Sequence, residues 1–155
     1  VEMVGRIRDT VPGVSVSTDI IVGFPGETEE QFQRTLDLLT DLRLDKVHCA
    51  PYSTRPGTTA HRNMEDDVPR QEKSGRRERV DRLQERILTE INAGLVGTTK
   101  EVLVEGRQKG KWQGRSRSNK LVFFEDDGYH LSELVDVRID RSSPWSLQGT
   151  MVGSK

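Results

Sequence analysis

Two short runs and one mixed basic and aromatic stretch hold the groups in this sequence that could do chemistry. The first run, Ile20-Ile21-Val22-Gly23-Phe24-Pro25-Gly26-Glu27-Thr28, passes from apolar residues through a glycine-proline turn to a residue suited to start a helix. A loop at the carboxyl end of a parallel strand is where α/β proteins bind ligands; the glycines could equally serve turn geometry alone. The second run, Tyr52-Ser53-Thr54-Arg55-Pro56-Gly57-Thr58, is a polar turn. In it, Arg55 either grips a phosphate or carboxylate through its planar fork of donors or is a solvated loop residue. Further along, Lys109, Lys111, Trp112, Arg115, Arg117, Asn119, Lys120 and Phe123 or Phe124 crowd together. Basic groups to follow a backbone and rings to stack on bases are what single-stranded RNA recognition requires. The same residues also suit a solvated strand face and barrel core rings, and Trp145 could be another such plug.

The single cysteine, Cys49, has no second Cys or His at ligand spacing. It can form neither an internal disulfide nor a multi-cysteine metal site within the chain, and reads as a packed core thiol. No metal ligand set and no catalytic residue is assigned.

The elements that must position these groups follow from periodicity. Met3, Val4 and Ile7 have helical spacing up to Pro12-Gly13. Val14 to Val22 reads as a strand covered on both faces. Thr28 with Gln31 forms a capping box that opens a helix, whose Phe32, Leu36, Leu39 and Leu42 share one side. Asp45 to Tyr52 gives a second strand, parallel to the first, so that both carboxyl ends lie on one rim. Pro69 starts a long, mixed-charge helix with one narrow stripe, Val80, Leu83, Ile87 and Ile91, closed by Asn92-Ala93-Gly94; it reads as a strut between two units. From Thr99 the period becomes two, as in Val102 and Val104 or Val135, Val137 and Ile139, with glycines at the turns. This predicts a small antiparallel barrel of about five strands. A strand through Gly114 to Asn119 would place Arg115, Arg117 and Asn119 on one face.

The net charge of −1 would argue against a nucleic-acid partner, but it is unevenly spread. Acidic residues gather in 27–45 and 125–127, whereas Lys100, Arg107, Lys109, Lys111, Arg115, Arg117 and Lys120 fall in one short stretch. With no apolar run near the roughly 20 residues needed to span a bilayer and no signal segment, a cytoplasmic location is expected. The first residue is not Met, and a piece of a longer protein is expected.

Five runs, in order, resemble the radical S-adenosylmethionine (SAM) methylthiotransferase family, most closely its MiaB-type tRNA enzymes. They are Thr18 to Thr28, Tyr52 to Thr58, Asp67-Val68-Pro69, Leu103-Val104-Glu105-Gly106, and Gly114 to Phe124. The resemblance implies an α/β segment followed by an all-β one. Residues 1–66 would be the carboxyl-terminal part of a partial (β/α) radical SAM barrel, 67–94 a linking helix and 95–155 an RNA-binding TRAM β-barrel. It makes Ile21, Val22, Gly23, Ala50, Pro51 and Tyr52 the candidate SAM wall, and Arg55, Lys109, Lys111, Trp112, Arg115, Arg117, Asn119, Lys120 and Phe123 the candidate contacts to a tRNA anticodon stem-loop. The implied reaction adds a methylthio group at carbon 2 of an isopentenyl-type adenosine next to the anticodon, using SAM and 4Fe-4S clusters in the full-length enzyme. The family's Cys-x3-Cys-x2-Cys cluster loop is absent, so this chain alone is expected to bind no cluster, to bind SAM weakly and to be inactive. Alternatives are a non-catalytic RNA-binding module and a sibling methylthiotransferase acting on threonylcarbamoyl-adenosine of tRNA or on a ribosomal protein.

Overall fold

The structure, a computed structural model, describes residues 1–154. It divides into two compact units, one formed by Val1–Thr10 and Val16–Gln84, the other by Val11–Ser15 and the chain from Glu85 onward.

In the first unit, α1 (Glu2–Thr10) precedes β1 (Ser17–Val22), α2 (Glu29–Leu42), β2 (Lys46–Pro51) and α3 (Thr59–Asn63). The expected capping box is present: Thr28 accepts from the Gln31 backbone N–H, and the Gln31 side chain accepts from the Thr28 N–H. It satisfies two orphan donors and starts α2 at the turn. β1 and β2 pair in parallel, with Ile20 opposite Cys49 and Val22 opposite Pro51. β1 is shorter than expected, because residues 14–16 lie before the first paired position. The alternation of the strands turns Ile20, Val22, Val47 and Cys49 toward Phe32 and Leu39 of α2, and this layer is the unit's core. Burying one such side chain contributes about 1.5–3 kcal/mol.

The long helix α4 (Arg70–Ala93) corrects the strut expectation for its first half. Val80 is buried in the core of the first unit with Leu83 against it, and the Gln84 amide donates to the Leu44 carbonyl at 3.0 Å. Lys73 and Arg76 are also buried. Periodicity missed this because the helix buries charged groups, which an apolar stripe does not count. Beyond the division at Gln84, buried Asn92 donates to the carbonyls of Ser143 and Pro144 in the second unit.

The second unit is a closed barrel of β3 (Thr99–Gln108), β4 (Lys111–Ser116), β5 (Leu121–Glu125), β6 (Leu134–Ser142) and β7 (Leu147–Ser154), in the order β3-β4-β5-β7-β6. The five strands match the expected number, but the antiparallel expectation needs one correction, since β5 and β7 pair in parallel. That pairing, together with β3 on β6, closes the sheet and leaves no open edge. Val102, Val104, Trp112, Val122, Phe124, Val135, Val137, Ile139 and Leu147 fill the interior. Gly114 and Gly149 sit where strands press together: a Cβ on Gly114 would lie 2.2 Å from the Leu103 carbonyl oxygen, and one on Gly149 2.1 Å from that of Arg138. No helix among the described residues is long and apolar enough to cross a membrane.

Candidate ligand rim and nucleic-acid interface

The parallel register sets the carboxyl ends of β1 and β2 side by side, with Ile21 opposite Ala50 and the Tyr52 N–H donating to the Val22 carbonyl at 2.8 Å. Ile21, Val22, Gly23, Ala50, Pro51 and Tyr52 therefore share one rim. Val22 is buried in the core and offers only backbone there, while Ile21 is 57 % exposed and offers apolar surface. Gly23 has φ +68°, and a Cβ would meet Lys73 Cγ at 2.3 Å, so glycine is required on both counts. The Phe24 and Tyr52 rings meet edge to face at 5.1 Å, and the Lys73 ammonium lies 5.2 Å above the Tyr52 ring.

A charged network that sequence reasoning missed holds this turn. The Gly23 N–H donates to the Glu27 carboxylate at 2.5 Å and the Gly26 N–H to Asp67 at 2.8 Å. Arg76, its side chain only 2 % exposed, donates to the Glu27 carboxylate at 2.6 Å and to the Glu27 carbonyl at 3.0 Å, and also pairs with Glu72. Lys73 pairs with Asp66. The only sequence signal was the spacing of Glu72, Lys73 and Arg76, which reads as a solvated helix face.

Cys49 packs against the core as expected, and burial, helped by the Asp81 charge, pushes its thiol up to about 11. It lines a cavity of about 420 Å³ with Ile21, His48, Ala50, Arg77 and Asp81. No group of three or more His, Cys, Asp or Glu side chains among the described residues could hold a metal ion. Arg55 lies in an exposed loop, where its carbonyl accepts from the Thr58 hydroxyl and N–H.

On the barrel, strand alternation turns Lys111, Gln113 and Arg115 outward and buries Trp112, Gly114 and Ser116. Phe124 is the core ring, while Phe123, opposite Gln113, is on the outer face. Three expectations are corrected. β4 ends at Ser116, so Arg117 and Asn119 belong to the β4–β5 turn rather than the strand, with Asn119 at φ +58°. Trp112 is 4 % exposed in the barrel core, its indole N–H donating to the Asp126 carbonyl at 3.2 Å; it offers no open face for a base. Trp145, by contrast, is exposed rather than a plug. Lys109 and Gly110, both at positive φ, form the two-residue turn between β3 and β4.

The outer face is less basic than its sequence suggests. Lys111 pairs with Glu125 at 2.9 Å, Arg115 with Glu105 at 3.6 Å and Arg117 with Glu101 at 2.6 Å. These acids lie far from their partners in sequence or across a turn, so local charge counting could not pair them. The Lys111 and Arg115 pairs are exposed on both sides and weak, of order 0–1 kcal/mol, so a phosphate can compete for those cations, whereas exposed Arg117 pairs with a Glu101 that is only 13% exposed.

Residues 94–152 match the TRAM domain model. The chain is 51% identical over 98% of its length to the tRNA-2-methylthio-N(6)-dimethylallyladenosine synthase of Herpetosiphon aurantiacus, covering 35% of that protein. It is 49% identical over 97% of its length to the Dehalococcoides mccartyi enzyme of that name, covering 36% of it, and 51% identical over 99% to that of a Roseiflexus species, covering 33%. The chain thus spans about a third of the length of the curated relatives it matches. An identity near one half across both the α/β unit and the barrel leaves neither unit outside the likeness to these synthases, and the barrel carries the TRAM match.

Proposed function

We propose that this chain is the carboxyl-terminal part of a cytoplasmic radical SAM enzyme that adds a methylthio group at carbon 2 of an isopentenyl-type adenosine next to the anticodon of tRNA. The observation that carries the reading is near-half identity, across both units, to relatives named for that product. In this reading residues 1–66 complete a partial (β/α) barrel, 67–94 link, and 95–155 bind the anticodon stem-loop through the outer face of β4 and β5. Lys111, Arg115 and Phe123 make the contacts there, flanked by Lys109 in the β3–β4 turn and by Arg117, Asn119 and Lys120 in the β4–β5 turn; Arg55 serves the RNA from its own loop.

The residues present do not fit an iron-sulfur cluster, because the one thiol is half-buried and held protonated. The rim does fit one side of a SAM site. Exposed Ile21 and Ala50 offer apolar surface to an adenine, and the Gly23 turn, fixed by Glu27 and Arg76, holds its backbone in one conformation. These groups position the cofactor and exclude water, while the cofactor supplies the methyl group and the radical chemistry.

The full-length protein, expressed in a bacterium lacking its own methylthiotransferase, tests the reading by mass spectrometry of tRNA nucleosides. A gain of 2-methylthio-isopentenyladenosine is expected. A methylthio group on threonylcarbamoyl-adenosine instead, or on neither nucleoside, would overturn it.

A further inference from the structure

One end of the barrel holds a feature that the outer-face reading does not use. β3 carries a bulge between Val104 and Gly106, after which Arg107 stands opposite Trp112. Without the extra residue, alternation would turn Arg107 outward with Leu103 and Glu105. The bulge re-aims it over the barrel mouth. There its guanidinium lies 5.3 Å from the Trp112 ring centroid, and its Nε–H donates to the Gly110 carbonyl at 3.2 Å.

Opposite Arg107, the segment between β5 and β6 presents Tyr129, 72 % exposed, and Leu131, also exposed. The Tyr129 ring stands at 90° to Trp112, 5.8 Å away. A tyrosine this open gains little for the fold, yet the segment carrying it is firmly held. His130 bridges Asp126 at 2.6 Å and Glu133 at 2.9 Å, and the Ser132 N–H and Glu133 carbonyl both bond to the Val104 backbone at 2.9 Å. Between these walls is a cavity of about 450 Å³, with Asp127 among its lining residues. That volume lies within the range of about 300–1,000 Å³ typical of small-ligand pockets.

We propose that this mouth, formed by Arg107, Trp112, Asp127, Tyr129 and Leu131, is a second RNA subsite that takes one unstacked nucleobase. The inference rests on the reading above that the barrel binds RNA, and it names where a base leaves the strand. A guanidinium plane and an aromatic ring are the two surfaces on which extruded bases stack. The single carboxylate suits an exocyclic amine of adenine or cytosine. An apolar peptide side chain would use Tyr129 and Leu131 but has no need of a guanidinium. Lys109 and Lys111 of the same hairpin lie within reach of flanking phosphates.

The test uses the whole chain and an RNA hairpin whose loop carries 2-aminopurine, a base whose emission is quenched when it stacks. Quenching on binding is expected, with Tyr129→Ala weakening affinity by about 5- to 150-fold at an unchanged salt slope and abolishing the quench. Tyr129→Phe should restore both, since the ring and not the hydroxyl does the stacking, and its exposure makes either variant safe for the fold. A folded Tyr129→Ala protein with unchanged affinity and quench overturns the subsite, as does equal affinity for a fully paired RNA. If wild type binds no RNA, the reading beneath it fails instead. Shifts of the Tyr129 and Leu131 resonances on adding N-acetyl-leucinamide but not AMP or CMP would assign the mouth to a peptide and overturn the proposal.

Discussion

Replacing Arg76 with Met tests whether the rim turn is held by a buried charge network. The guanidinium has almost no contact with water, and the Glu27 side chain it neutralises is only 14% exposed. Arg76→Met preserves the aliphatic stem but leaves the Glu27 carboxylate facing an apolar group, with the Gly23 N–H as its remaining partner. Removing one partner of a buried ion pair costs about 3–5 kcal/mol, because the other charge stays desolvated. Adding Glu27→Gln removes that charge while keeping an oxygen for Gly23, so the double variant should recover most of the loss. The chain itself supplies separate reporters. Both tryptophans, Trp112 and Trp145, lie in the barrel unit, whereas the four helices among the described residues lie in the first unit, save the end of α4 beyond Gln84. In urea, the far-UV circular dichroism transition should move to lower denaturant in Arg76→Met, while the tryptophan fluorescence transition stays in place. A shift worth less than about 1 kcal/mol, the scale of a surface pair, or a double variant no better than the single, would refute the reasoning.

Gly114→Ala should destabilise the barrel by about 1–3 kcal/mol or more, since the new Cβ meets the Leu103 carbonyl and Val102 Cγ1; here the tryptophan transition is the one that moves. Glu105→Gln should tighten tRNA binding at low salt by up to about fivefold, read by filter binding, because it frees Arg115 from a weak surface bond. Arg115→Ala with Arg117→Ala should weaken tRNA binding and lower its salt slope by roughly one unit for each phosphate no longer neutralised. Native Cys49 should react with a disulfide reagent near pH 8 roughly two orders of magnitude more slowly than in the unfolded chain, its thiol being raised to about 11 against about 8.5 for a free one. His130 is raised above 6.5 by its bonds to Asp126 and Glu133, and Asp126 is lowered below 3.8 by the same His130 bond and the Gly128 N–H. The histidine's contribution is full below pH 6.5 and lost as pH rises through its folded value, and the aspartate's is full above 3.8 and lost as pH falls through its folded value. Thermal melts of His130→Gln should therefore lose stability relative to wild type mainly between these limits.

Where local spacing decides structure, the sequence was legible. The Thr28 and Gln31 capping box depends on four neighbouring residues, and it formed as expected. The parallel pairing of the first two strands followed from chain connectivity, and the period of two from Thr99 onward yielded five strands with Phe124 and the alternating valines inside. The failures share a cause. A closed barrel must bring its last strand against an earlier one, and the parallel β5–β7 pairing that does so joins residues 25 apart, Val122 with Leu147. No local pattern encodes that choice.

The site residues show the same division between local and distant causes. Arg115 was correctly expected on the outer face because alternation puts it there. That Glu105 sits beside it depends on the register of β3 on β4, and the bulge at Glu105 then swings Arg107 to the mouth. Register thus neutralises part of the expected basic face, while one inserted residue builds a second, aromatic site. Reading basic residues as one patch merges two surfaces that differ in kind. Phosphate binding on the outer face should vary with salt, because it exchanges counterions. Stacking at the mouth should not, because it displaces water rather than ions. Arg107 is the residue on which the distinction turns: counted with the outer face, Arg107→Ala would lower the salt slope, and as a stacking wall it should cost affinity at every salt concentration alike.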